Sequence, residues 1–170
     1  MEVFDAVRTV LAVRRYQDRA IPAEVVRQIV DAGRLTASAR NTQPWHFIVV
    51  ESRDTLAQLG ALARSGPYIA QAALAIVVAI APSKLAISDA SRAIQSMVLT
   101  AWSAGVGSNW VGFSELGAVR TLLNIPDTLD VLAILPFGYP ADAIGQGKKE
   151  RKPLDKAVSR ERFGQPFGDA

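Results

Sequence analysis

A polar stretch between a helical and a strand-like run holds the first candidates for chemistry in this sequence. Residues 36–45 read TASARNTQPW, and they place the amides of Asn41 and Gln43 near the hydroxyl of Ser38. An amide side chain both donates and accepts hydrogen bonds, so this set suits a planar ring that presents carbonyl oxygens and ring nitrogens side by side. From the residues alone, an Asx-type turn that leaves these groups in water explains them at least as well.

A basic segment near the C-terminus is the second candidate. Residues 148–162 carry more basic than acidic side chains, in a chain whose formal net charge is only +3. The basic residues are Lys148, Lys149, Arg151, Lys152, Lys156, Arg160 and Arg162, and the acids are Glu150, Asp155 and Glu161. Such a local surplus indicates one anionic ligand more than a broad nucleic-acid surface. A solvated tail without a ligand is the alternative.

The composition excludes several other chemistries. The 170 residues include no cysteine and one histidine, His46, which argues against disulfides, thiolate metal sites, iron–sulfur clusters and a histidine-rich metal site. The motifs GxGxxG, GxxxxGK[ST], GxSxG and HExxH are absent. No apolar run approaches the roughly 18 residues of a membrane helix, and the first residues lack a signal-peptide pattern. We therefore expect a cytoplasmic protein without a metal.

Hydrophobic periodicity predicts mixed helices and strands around a central sheet. The run LAIVVAI at residues 74–80 predicts a strand buried on both faces. A long helix is predicted with Ser88 or Asp89 as its N-cap and Gly105 at its end, and Asp54 is predicted to cap an earlier helix that runs to about Arg64. The other predicted elements are a weak helix at 2–13, helices at 22–35, 54–64 and 115–123, strands at 46–51 and 131–137, and a strand end or turn at 109–113. No repeat or linker divides the chain, so we expect one α+β domain over residues 1–170.

Three segments in the same order resemble the FMN-dependent nitroreductase family. NTQPWHFIVV, preceded by RRYQDRAIP, is similar to the family's N-x-Q-P-W-x-F after its second helix. AWSAGVGSNWVGF resembles the family's helix exit and flavin-facing strand end, and PFGYP followed by KERKPL resembles its G-Y-P turn and phosphate segment. The resemblance spans essentially the whole chain. It implies a homodimer whose subunits have a central mixed, largely antiparallel sheet flanked by helices.

The resemblance also assigns residues to the cofactor. Ser38 and Asn41 would bond the isoalloxazine or ribityl groups, and Gln43 would support their loop. The backbone N–H groups of Val111 and Gly112 would meet the ring near N5 and O4. The assigned cations are Arg14, with Arg15 as a second candidate, for the phosphate or ring edge, and Lys149 and Arg151, within a basic segment at 141–170 that closes the phosphate site.

Two positions depart from the family pattern. Val10 and Ala12 stand where the family has an arginine and a serine, so two phosphate donors are missing. Arg8 or Arg15 could substitute for them, or FMN could bind more weakly. The role of Arg40, inside the polar stretch, stays open between substrate contact and solvent.

The implied activity moves hydride from NADH or NADPH through flavin N5 to a nitroaromatic, quinone-like or other conjugated acceptor. The flavin then carries the chemistry, and no catalytic side chain is assigned. The flavin would lie at the homodimer interface, and neither nucleic acid nor a membrane is expected as a partner. Two alternatives remain open: a dehalogenase-type or flavin-consuming member of the same family, and a flavin-binding or sensing protein with little turnover.

Overall fold

A four-stranded antiparallel sheet forms the centre of the protein. The computed structural model describes residues 1–112, 116–143 and 149–168. The strands follow the order β1-β2-β4-β3, with bounds of Trp45–Val50 for β1, Leu74–Ile80 for β2, Gly107–Ser108 for β3 and Asp130–Gly138 for β4. All three strand pairs are antiparallel. Among the isolated bridges of the described residues, Tyr16–Pro140 and Val111–Ile134 are antiparallel and Ala12–Ser108 is parallel. The predicted α+β class and largely antiparallel sheet are confirmed.

Helices cover both faces of this sheet. Their bounds are Val3–Thr9 for α1, Ala23–Arg34 for α2, Arg53–Leu62 for α3, Ala86–Ser103 for α4 and Gly117–Leu122 for α5, with short 3-10 turns at Ala39–Asn41, Pro67–Gln71 and Leu154–Lys156. Phe113, the last residue of the strand end or turn predicted at 109–113, and Glu115, the first residue of the helix predicted at 115–123, lie outside the described residues. No described helix combines the length and hydropathy needed to cross a membrane.

Strand β2 separates two hydrophobic cores, as its continuous apolar sequence predicts. Every residue of β2 is buried. Ile76 and Val78 face a core that contains Ile29 of α2 and Met97 of α4. Alternate residues of β2, such as Val77, face a second core built with α3 and α5. Successive strand residues point to opposite faces, so a sheet covered on both sides requires this unbroken apolar run.

Two helix N-caps differ from the prediction, and helix α1 ends at Thr9 where the predicted helix ran to 13. Helix α4 begins at Ala86 with Leu85 at its N-cap, so neither Ser88 nor Asp89 caps it. Asp89 lies instead within the first turns and is 1% exposed. Helix α3 is capped by Ser52, whose hydroxyl accepts from the Thr55 amide at 3.5 Å, and not by Asp54. Capping propensity is similar for serine and aspartate, so only the backbone path decides between neighbouring candidates.

The chain after α1 lies against the sheet edge at β3 and β4. The Val13 amide donates to the Ser108 carbonyl at 2.9 Å, and the Gln17 amide donates to the Tyr139 carbonyl at 2.8 Å. Close approach requires glycine here, because a Cβ at Gly107 would lie 2.4 Å from the Val13 side chain. The sheet edge thereby fixes the segment that carries Arg14.

Candidate functional site

The polar stretch after α2 folds into a compact loop, residues 38–43. The backbone N–H of Asn41 donates to the Ser38 carbonyl at 3.0 Å, and the backbone N–H of Gln43 donates to the Ser38 hydroxyl at 2.9 Å. The Gln43 side chain donates to the Asn41 side-chain oxygen at 3.1 Å. Gln43 therefore ties the loop together, while the side chain of Asn41 stays exposed at its surface.

This loop holds an unusual backbone conformation. Arg40, Asn41 and Gln43 have φ angles of 53°, 56° and 45°. The left-handed region costs roughly 1–2 kcal/mol for a residue with a Cβ, although asparagine tolerates it better than most. Clusters of such residues persist only where the surrounding structure holds them, and they concentrate at binding and catalytic sites. The loop is therefore more than a relaxed surface turn.

Arg14 and Arg15 lie on the segment that crosses the sheet edge. Both belong to a cleft of about 230 Å³ whose lining residues are Leu11, Ala12, Val13, Arg14, Arg15, Pro140 and Asp142. Arg15 is paired with Asp142 at 3.1 Å, with both side chains mostly exposed. Arg14 is exposed as well. Because Arg15 is already paired with the Asp142 carboxylate, it is a weaker candidate than Arg14 for binding an anionic ligand.

The buried side chain of Tyr16 attaches this segment to the protein interior. Its hydroxyl donates to the Val13 carbonyl at 2.7 Å, and the residue is 8% exposed. Burial, and secondly the neighbouring Tyr68, raise the pKa of Tyr16 well above its usual value, while Arg14 acts in the opposite direction. Tyr16 therefore stays protonated as a structural donor at any ordinary pH.

One cation of the basic segment, Lys149, contacts helix α1, and a second, Arg151, lies near Lys149. The Lys149 amine donates to the Val7 carbonyl at 2.7 Å, and the Arg151 guanidinium donates to the Glu150 carbonyl at 2.7 Å. Desolvation, and secondly the positive charge of Arg151, lower the pKa of Lys149 from its usual value. An anion bound between the two cations would relieve this repulsion. Lys148 lies outside the described residues.

The two backbone donors predicted to meet a flavin ring, Val111 and Gly112, lie beside strand β4. The Val111 amide donates to the Ile134 carbonyl at 3.0 Å, and the Ile134 amide donates back at 2.7 Å. In this structure the Val111 proton is bonded within the sheet, so of the two backbone donors predicted to meet a flavin ring we favour Gly112. Gly112 follows directly, and a Cβ there would lie 2.7 Å from the Leu132 carbonyl oxygen. Only glycine allows this close approach to β4.

Apart from Val111 and Gly112 beside β4, the predicted residues form three groups. Loop 38–43, the pair Arg14 and Arg15, and the pair Lys149 and Arg151 each have their own anchors. Within residues 1–112, 116–143 and 149–168, no hydrogen bond or ion pair joins the loop to either cation pair.

Sequence reasoning missed the anchor of the loop, Asp89. One carboxylate oxygen of Asp89 accepts from the Ala39 amide at 3.1 Å, and the other pairs with Arg92. The signal was present in the sequence, since Asp89 falls in the helical stripe of buried residues that includes Ala86 and Ala93. An acid on an apolar helix face requires a partner, and here that partner is the loop.

Comparison with known proteins identifies the family to which this fold and sequence belong. The sequence pattern described as the Nitroreductase family matches residues 8–83 and 67–139. A protein of Methanothermobacter thermautotrophicus, provisionally named NADH dehydrogenase/NAD(P)H nitroreductase, is 35% identical over 154 residues, which cover 85% of this chain and 81% of the relative. An FMN reductase [NAD(P)H] of Bacillus subtilis is 25% identical over 187 residues, covering 95% of this chain and 74% of the relative.

A solved structure agrees with these relatives. A provisionally assigned nitroreductase from Desulfovibrio desulfuricans, crystallised in complex with FMN, superimposes with a TM-score of 0.81 at 30% identity. The similarity covers 96% of this chain and 98% of that protein. The sequence match, the antiparallel sheet and the helix arrangement lead to one conclusion: this chain belongs to the nitroreductase family.

Proposed function

We propose that this protein is an FMN-dependent oxidoreductase that takes electrons from NADH or NADPH and delivers them to a nitroaromatic, quinone-like or other conjugated acceptor. Family membership supports the proposal, as do relatives named NAD(P)H nitroreductase and FMN reductase. When bound, FMN would supply the two-electron redox chemistry between the nicotinamide and the acceptor, and the chain's residues would hold it.

The observation that carries this proposal is the strained loop 38–43. Three non-glycine residues hold left-handed backbone there, and the loop presents the side chain of Asn41 to the surface. A ring with adjacent carbonyls and nitrogens suits the donor and acceptor of an amide. The loop's internal hydrogen bonds, together with the bond from the Ala39 N–H to Asp89, hold its shape without a ligand, so binding such a ring would cost little ordering entropy.

The cations suit the other end of the cofactor. Lys149 and Arg151 lie close enough for the charge of one to disfavour the charge of the other, and a phosphate dianion would favour both. Arg14, exposed beside the sheet-edge cleft, would add a planar guanidinium fork. We assign these three residues to the phosphate, within a single domain over residues 1–170 whose segment 141–170 closes the phosphate site.

The chain's own residues would bind and orient rather than exchange protons. Tyr16 is held protonated by burial and is engaged with a backbone carbonyl, so it serves as a support for Arg14. Gly112 lets the chain pass close to β4, where a backbone donor could face the ring. Among the described residues, no cluster of histidines or acids could hold a metal ion.

We further propose a homodimer with the flavin at the subunit interface. Apolar side chains are exposed on the surface of α1 and near the C-terminus: Phe4 is 75% exposed, Val3 76% and Phe163 103%. Large exposed apolar residues of this kind mark contact surfaces when they cluster. A second subunit would cover α1 and give the exposed C-terminal segment a partner to pack on.

A single preparation tests the activity. The purified protein, loaded with FMN and freed of excess, should keep a flavin absorbance spectrum, and NADH or NADPH should bleach it without oxygen. Adding a nitroaromatic or a quinone should then restore the colour. A protein that retains no FMN overturns the proposal. A protein that retains FMN but is bleached by neither nucleotide supports the flavin-binding alternative with little turnover.

A further inference from the structure

We infer that Asp89 is a positioning residue, which holds loop 38–43 in its binding shape from helix α4. The inference rests on the function proposed for that loop. Asp89 does not belong to the loop, to the predicted cofactor contacts or to the basic segment. Its carboxylate is 1% exposed, and one of its oxygens accepts the Ala39 N–H at 3.1 Å.

The Asp89 carboxylate divides its two oxygens between two elements. One oxygen pairs with Arg92, three residues further along α4, and the other reaches the loop 50 residues back in the chain. A buried carboxylate is costly unless it is paired and hydrogen-bonded. Arg92 neutralises the charge with a side chain that is 52% exposed, which leaves the second oxygen available to fix the loop.

Loop 38–43 needs a hydrogen bond to another element to hold it against the protein. Its internal hydrogen bonds close it on itself, through Ser38, but they do not attach it to the body of the protein. Its flanks are attached separately: the Thr36 hydroxyl donates to Ser96 at 2.8 Å, and the Ala81 amide donates to the Pro44 carbonyl at 2.8 Å. Among the hydrogen bonds of the described residues, the one from Ala39 to Asp89 alone joins residues 38–43 to another element.

The location of this bond connects it to the strained backbone. Ala39 precedes Arg40 and Asn41, whose φ angles of 53° and 56° are disfavoured for residues with a Cβ. Such backbone persists when surrounding contacts over-determine it. Without the Asp89 anchor the loop can relax to ordinary turn angles, and the surface presented by Asn41 would then change. Asp89 therefore acts on the cofactor through the loop, without touching the cofactor itself.

The test compares Asp89→Ala with a matched variant of the same helix. Ser96→Ala also removes a side-chain hydrogen bond from α4 to the α2–β1 connection, but it acts at Thr36, outside residues 38–43. Two quantities are measured: amide hydrogen exchange of the loop without cofactor, and the dissociation constant for FMN. We expect Asp89→Ala to speed exchange at Ala39 and its neighbours and to weaken FMN about 10- to 100-fold. Ser96→Ala should leave both close to the parent.

A second variant breaks the same hydrogen bond from the loop side, so that the test remains decisive if Asp89→Ala does not fold. Ala39→Pro replaces the N–H that Asp89 accepts with the ring Cδ, which cannot donate and would push residue 39 away from the carboxylate. Ser38 before it already has the extended backbone, φ −126° and ψ 156°, that a following proline requires. This variant breaks the contact without changing the sequence of helix α4, and it should weaken FMN as Asp89→Ala does.

The outcomes separate the two levels of the proposal. If the parent binds FMN and both Asp89→Ala and Ala39→Pro bind it equally well, the positioning role is overturned while the proposed function stands. If Ser96→Ala weakens FMN as much as Asp89→Ala, the effect belongs to general packing of α4, which also overturns the positioning role. If the parent itself does not bind FMN, the proposed function fails and the inference fails with it.

Discussion

Lys149 donates its amine proton to the backbone carbonyl of Val7 at 2.7 Å, and this bond ties the C-terminal basic segment to helix α1. The two residues are 142 positions apart. Their contact places a cation beside the N-terminal region that also carries Arg14. The basic surplus is therefore attached to the body of the protein at Lys149, as a phosphate site formed from both ends of the chain requires.

Removing two cations should weaken FMN through its phosphate. In Lys149→Ala/Arg151→Ala we expect the FMN dissociation constant to rise about 10- to 100-fold, because charge-assisted hydrogen bonds contribute more than neutral ones. Riboflavin, which lacks the phosphate, should bind to parent and variant alike. The control is Lys152→Ala/Lys156→Ala, which removes the same charge from the same segment. If both double variants lose the same FMN affinity, the effect comes from the net charge of the segment and not from direct phosphate contacts of Lys149 and Arg151.

The affinity for FMN should depend on pH through Lys149. Its pKa is lowered by desolvation and by Arg151, so the amine loses its proton at a lower pH than an ordinary lysine. A bound phosphate favours the protonated form, and binding should therefore weaken as pH rises through this lowered pKa. Titrations with FMN and with riboflavin between neutral and alkaline pH separate this effect from ionisation of the ring. Lys149→Arg should remove the pH dependence, since arginine keeps its proton.

The side chain of Asn41 should matter for the cofactor and little for the fold. Asn41 has φ 56°, so Asn41→Gly removes the amide without adding backbone strain. We expect FMN binding to lose about 1–3 kcal/mol and the flavin spectrum to shift, while the melting temperature without cofactor stays near that of the parent. Asn124→Gly, at φ 52° after α5, is the matched control. A large loss of stability with unchanged flavin affinity would favour a purely structural turn.

The exposed face of α1 should carry the subunit contact. Phe4→Glu places a charge on a residue that is 75% exposed in the single chain, so the monomer should fold normally while self-association weakens. Sedimentation equilibrium of parent and variant measures this directly. Leu62→Glu on α3, at a residue 38% exposed, tests whether any new surface charge has the same effect. A parent that is monomeric and still loaded with FMN would contradict the proposed dimer.

Sequence alone determined the longer helices and strands and the order of the motifs in this protein, but not the two-residue strand β3 or the end of α1. The run at residues 74–80 can bury seven apolar residues only between two helical layers, so its place in the sheet follows from composition. Gly105, at φ 76°, ends the long helix as predicted because glycine adopts this angle without cost. The polar stretch before β1 was likewise recognisable by its residue types.

Tertiary structure decided the partners of these residues. Asp89 reads as a helix cap, yet it is a buried anchor for Ala39, since its position on α4 depends on where the helix begins and what packs against it. The sequence gives no sign that the Val111 backbone amide bonds the Ile134 carbonyl, which it does in the sheet. Local sequence constrains residues within one turn of each other, whereas hydrogen bonds between positions 20 to 50 residues apart form only after the elements have packed.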